Sequence, residues 1–200
     1  MTPLLDMDLR KASKVFDLNV FAPFAVVKAF IPLLITSKGT IVNIGSYVDA
    51  LPAPWQGVYN ASKAALRSLT DNLRLELRPF NVNVVYVGAF HYSFFILKAF
   101  LIAMQIAAGG IRSNFLDNLG KVYISETSLF YPARQILEPI MNYEDEKANR
   151  TSMPASEFAQ EVYDAAVAGV SFHRVYAGSQ TPLSNMPAVE RVSLVIVVDM

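Results

Sequence analysis

Residues 38–46 read Lys38-Gly39-Thr40-Ile41-Val42-Asn43-Ile44-Gly45-Ser46, and residues 57–63 read Gly57-Val58-Tyr59-Asn60-Ala61-Ser62-Lys63. Thr40–Ile44 is a short, nearly continuous apolar run after a glycine, the pattern of a strand buried on both faces. Leu51-Pro52-Ala53-Pro54 is a loop. From Gly57 to Arg78 the residues Tyr59, Lys63, Leu66, Thr70, Leu73 and Leu77 recur on one helical side, and Pro79 ends the helix. Upstream, Val15, Asn19, Ala22, Val26, Ala29 and Leu33 mark one face of a long helix over residues 8–37. Downstream, Val82-Asn83-Val84-Val85-Tyr86-Val87 is a second β-branched strand. Helix, strand, helix, strand at this spacing predicts an α/β fold with a parallel sheet. Further helices are expected at 132–147 and 155–169, and a strand over Arg174-Val175-Tyr176-Ala177. The run Val192–Val198 is assigned to no element.

The composition narrows the chemistry. Of 200 residues 53% are hydrophobic, enough for a sizeable core, and 17 basic residues balance 17 acidic ones. A neutral chain has no field to draw it to nucleic acid. The absence of cysteine excludes disulfides, thiolate zinc sites and cysteine nucleophiles, and suits an intracellular setting. His91 and His173 are far apart, so no histidine-ligated metal is expected. The opening MTPLLDMDLRK has no apolar core region and does not read as a secretory signal.

Four residues stand out together: Asn19, Ser46, Tyr59 and Lys63. Tyr59 and Lys63 are four apart on a helix and so share a face. An isolated tyrosine is a poor acid near neutrality, its reference pKa being about 10; roughly 4 kcal/mol of differential stabilisation would bring it near 7. A neighbouring ammonium in a partly dry cleft acts in that direction and makes a tyrosine able to exchange a proton. Ser46 follows the carboxyl end of a strand, where open α/β sheets bind ligands, and its hydroxyl suits a substrate carbonyl. Each residue has a plainer reading as well: a core helix pair, a turn cap, a satisfied buried amide. A serine hydrolase does not fit, because Ser46 lies in Ile44-Gly45-Ser46 and not in a Gly-x-Ser-x-Gly elbow.

Gly45-Ser46, with Tyr59-Asn60-Ala61-Ser62-Lys63 thirteen residues after the serine, resembles the signature of the short-chain dehydrogenase/reductase family. Asn19, within Phe16-Asp17-Leu18-Asn19-Val20, matches the family's fourth catalytic position. The resemblance implies a Rossmann-type doubly wound parallel sheet, Tyr59 as proton donor, and Ser46 orienting the carbonyl. It also implies that Lys63 acidifies the tyrosine and binds the nicotinamide ribose, and that Asn19 holds a water through its backbone carbonyl. Pro23 supports this last role independently, since it has no N–H to offer the carbonyl of residue 19. Lys38–Ser46, Pro54-Trp55-Gln56-Gly57-Val58-Tyr59-Asn60, Leu73-Arg74-Leu75-Glu76-Leu77, Ser113-Asn114-Phe115 and Tyr131-Pro132-Ala133-Arg134 resemble more narrowly the fungal NADPH-dependent acyl-dihydroxyacetone-phosphate reductases. That narrower resemblance implies NADPH as cofactor, a lipid-like ketone substrate, and the endoplasmic reticulum or lipid droplets as location. Peripheral membrane association and a homo-oligomer built through the helices at 8–37 and 57–78 belong to the same expectation.

The family opens with a strand, a glycine-rich turn and a helix that cradle the pyrophosphate. No spaced glycine triplet precedes Gly39. The resemblance is therefore to the carboxyl-terminal half of the fold, with the N-terminal βαβ units missing. Residues 1–200 read as one partial domain, family-like over 1–88 and 109–178, with a divergent tail at 179–200. Its remaining strands are expected to leave an edge open. NADPH binding by the 200-residue chain is expected to be weak. Lys63 contributes about 1–3 kcal/mol, where millimolar affinity already needs about 4. The competing reading is a truncated, non-catalytic remnant that acts only by association. Between the two family-like parts lies the apolar stretch AFHYSFFILKAFLIAMQIAA at 89–108. A membrane span, an insertion packed on the sheet, and translated intron sequence all fit it. If the family's cofactor loop resumes at Gly109-Gly110-Ile111-Arg112-Ser113, Ile111 and Ser113 match its cofactor-contacting positions.

Overall fold

A computed structural model describes residues 1–50, 52–89, 111–112, 120–142, 153–167, 175–177 and 195–198. The first long helix is α1 (Leu9–Phe16), a π-helical turn (Asp17–Phe21) and α2 (Ala22–Ser37) in direct succession. Asp8 caps it, its carboxylate accepting the Arg10 N–H at 2.8 Å. That bond satisfies one of the first orphan amides, so Asp8→Ala should cost about 1 kcal/mol, readable by urea unfolding. The π turn has a local cause. Pro23 cannot donate to the Asn19 carbonyl, and its ring crowds that carbonyl. The helix widens, and Ala22 N–H reaches back to the Asp17 carbonyl. At the other end Lys38 takes the left-handed conformation (φ 51°), and Gly39 N–H closes the turn on the Leu34 carbonyl at 2.9 Å.

β1 (Thr40–Ile44) follows and is buried along its whole length. Next come α3 (Gly57–Leu77) and β2 (Asn83–Ala89). Later elements are β3 (Ile111–Arg112), α4 (Arg134–Met141), β4 (Met153–Pro154), α5 (Ala155–Val167), β5 (Val175–Ala177) and β6 (Val195–Val198). The main sheet is parallel in the order β5-β2-β1-β6, and β3 and β4 form a separate parallel pair.

Alternation along the strands sorts the core onto two faces. Ile41, Val82 and Val84 pack with Val27, Leu34 and Leu77 from α2 and α3. Val42, Ile44 and Val87 pack with Val162 of α5. Helices therefore cover both sides of the sheet, which is why β1 reads as a nearly continuous apolar run.

β1 is an inner strand, flanked by β2 and by β6, with Ile41 opposite Ile196 and Val42 opposite Val197; among the described residues the sheet's edges are β5 and β6. The unassigned run Val192–Val198 thus contributes a strand from within the divergent tail. The helix expected at 132–147 is α4, preceded by a 3-10 turn at Tyr131–Ala133; residues 143–150 lie outside the described residues. Apart from Ala89, which ends β2, the apolar stretch at 89–108 lies outside them too. Among the described residues, Leu9–Ser37 is the helix long and apolar enough to cross a membrane. It carries Val20, Val27 and Leu34 in the protein interior and leaves Leu18, Phe21, Phe30 and Leu33 exposed.

Candidate active site

The residues singled out by spacing converge where β1 meets α3. Lys63 is 4% exposed. Its ammonium donates to the Ile44 carbonyl at the end of β1 at 3.1 Å, and lies 5.7 Å from the centre of the Tyr59 ring. Burying an ammonium is costly without hydrogen-bond acceptors, and the strand carbonyl is one such acceptor. Tyr59 is partly exposed on the same helical face, one turn earlier.

Ser46 stands two residues beyond β1 and is buried. Its Oγ accepts the Val48 N–H at 3.4 Å, which opens the 3-10 turn Tyr47–Asp49. The turn-cap role and the candidate chemical role coexist: the bond uses an oxygen lone pair and not the hydroxyl proton. Asn19 sits in the π turn at 7% exposure, its Nδ2 donating to Ser62 Oγ at 3.0 Å. Ser62 in turn donates to the Tyr59 carbonyl at 2.7 Å. Asn19 is therefore fastened to the residue beside Lys63. Ile111 begins β3, opposite Met153, and Ser113 lies outside the described residues.

Three further residues complete the surroundings. Tyr86, on the α3-facing side of β2, reaches both Ser46 and the Lys63 carbonyl with its hydroxyl. Asp49 is buried, with Arg67 Nη1 3.5 Å from its Oδ1. Burial first, and then the Asp49 carboxylate, push the Tyr86 phenol far above its ordinary value, so it stays neutral at any working pH. Arg67 continues the four-residue series from Tyr59 and Lys63, a signal present in the sequence. For Tyr86 and Asp49 the sequence offers no comparable mark.

A phenol and a buried ammonium on one helix face have the donor chemistry that ribose hydroxyls require, so the residues present fit the nicotinamide end of a dinucleotide. Among the described residues no glycine-rich turn opens a helix.

The profile of the short chain dehydrogenases matches residues 1–91, and this part of the chain, which carries Asn19, Ser46, Tyr59 and Lys63, belongs to the short-chain dehydrogenase/reductase family. It is 30% identical over 184 residues to the NADPH-dependent 1-acyldihydroxyacetone phosphate reductase of Schizosaccharomyces pombe, covering 90% of this chain and 54% of that one. It is 45% identical over 85 residues to the short-chain dehydrogenase PC-15 of Penicillium crustosum, covering 42% and 31%. A solved short-chain dehydrogenase from Streptomyces avermitilis superposes with a TM-score of 0.60 at 22% identity, over 87% of this chain and 54% of that one. That likeness shows the Rossmann-type fold. The chain spans about half the length, or less, of the curated relatives it matches.

Proposed function

We propose that the protein is an NADPH-dependent ketone reductase acting on a lipid-like substrate of the acyl-dihydroxyacetone-phosphate type. The observation that carries this reading is the Lys63 ammonium, buried, tied to the end of β1 and held beside the Tyr59 ring. The fission-yeast relative, named for an acyl ketone substrate and for NADPH, supports the substrate class and the cofactor.

When bound, the reduced nicotinamide supplies the hydride. The chain's own groups do the rest. Ser46 Oγ, with its lone pair engaged by Val48, directs its proton to the ketone oxygen. Tyr59 gives that oxygen its proton. Lys63 favours the phenolate left behind and binds the ribose. Asn19, whose carbonyl Pro23 cannot serve, holds the water that returns the proton. Ile111 and Ser113 contact the cofactor in this reading. Association of two copies through the helices at 8–37 and 57–78 is part of it as well, supported by apolar side chains exposed on the first, Phe21 (58%) and Leu33 (59%) among them. Residence at the endoplasmic reticulum or on lipid droplets accords with such a substrate.

Steady-state oxidation of NADPH and of NADH, each with an acyl-dihydroxyacetone phosphate and with a short-chain ketone, tests the reading. The expected result is ketone-dependent oxidation, faster with NADPH and with the acyl substrate. Absence of any ketone-dependent oxidation would overturn it.

A further inference from the structure

We propose that the Tyr86 hydroxyl is a positioning group, bridging the Ser46 N–H beyond β1 to the Lys63 carbonyl on α3 and so setting the distance between the two halves of the site. Ser46 and the Tyr59–Lys63 pair come from different elements, joined by a loop containing Pro52 and Pro54. No covalent geometry fixes their spacing. The Tyr86 oxygen lies 3.4 Å from the Ser46 nitrogen and 3.4 Å from the Lys63 carbonyl oxygen. A phenol has one donor and a lone pair to match these two partners. The Lys63 carbonyl can accept a second hydrogen bond besides that of its own helix.

The ring is held for this task. Tyr86 is 1% exposed and stands on β2 opposite Asn43. It lies over Gly45, where an added Cβ would come within 1.9 Å of the ring's Cζ. Only a residue without a side chain lets the ring pass at position 45. Behind the hydroxyl lies the buried Asp49 carboxylate, its Oδ1 beside Arg67. Burial first, and then that carboxylate, which is a second acceptor for the phenol proton beside the Lys63 carbonyl, keep Tyr86 un-ionised, so the hydroxyl retains a proton to donate. Both bonds are long, hence individually weak. The consequence of losing them is a looser site rather than an unfolded protein.

The kinetic part of this proposal rests on the ketone-reductase reading; its structural part does not. Tyr86→Phe keeps the ring and removes the bridge. Amide hydrogen exchange at Ser46, followed by NMR in the full chain, should speed up by about tenfold while the melting temperature stays within a few degrees. With an acyl ketone and NADPH, kcat should fall by about tenfold and KM change by less than about twofold. In a Ser46→Ala background the same substitution should lower kcat by less than about twofold, since its effect passes through Ser46. A general loss of stability would instead add to the Ser46→Ala defect in full. Unchanged Ser46 exchange, or full additivity, would overturn the proposal. If the parent protein turns over no ketone, the reductase reading falls, and the Ser46 exchange rate alone still decides for or against the bridge.

Discussion

In a version of the protein that spans the full length of its relatives, Tyr59→Phe should lower ketone-dependent NADPH oxidation by a hundredfold or more, on the order expected for loss of a general acid. The substitution keeps the ring under the Lys63 ammonium, 5.7 Å from its centre, and removes the one proton that the ketone oxygen needs. Lys63 stays anchored on Ile44, and the Asn19–Ser62 bond does not involve the phenol. The loss should therefore appear in kcat rather than in KM. Retention of more than about a tenth of the parent rate in a steady-state assay would show that another group supplies the proton.

Gly45→Ala should markedly destabilise the protein. Its Cβ would fall 1.9 Å from Cζ and 2.0 Å from the hydroxyl oxygen of Tyr86. The ring is fully enclosed and cannot swing aside without displacing its neighbours, and overpacking of this kind costs about 1–3 kcal/mol or more. Urea unfolding is the measurement. A companion variant, Gly45→Ala with Tyr86→Ala, separates the clash from any demand of the backbone. The double variant should recover part of the alanine penalty at position 45, because the obstructing ring is gone. If the double variant shows the two losses simply added, the steric account is wrong.

What the sequence discloses depends on how local the determining physics is. β1, α3 and β2 are legible because each repeats its own period and is bounded by its own breaker: Gly39, the prolines of the loop, Pro79. The π turn is half legible. Pro23 announces a disturbance at Asn19, but whether the helix kinks, breaks or widens depends on the packing of Asn19 against Ser62. The Tyr59–Lys63 face is legible from spacing alone, and Ser46 from its place after a strand. Tyr86 is hidden for a different reason. An aromatic residue in a β-branched strand reads as core, and which of its neighbours its hydroxyl meets depends on the register of β1 on β2. Asp49 is hidden likewise, since a turn acid is ordinarily solvated. β6 escapes notice because its partner, β1, lies at the far end of the chain, and no short-range pattern records such a pairing.

That last pairing has a bearing on how the molecule comes into being. β1 is buried along its whole length, yet one of its two neighbours in the sheet is the distant segment Val195–Val198. During synthesis on the ribosome, β1 emerges long before that neighbour exists. Closing so long a loop is entropically costly and slow. For that interval the nascent chain carries a β-branched strand with unsatisfied backbone groups along one side, the kind of surface to which chaperones bind and through which partly made chains aggregate.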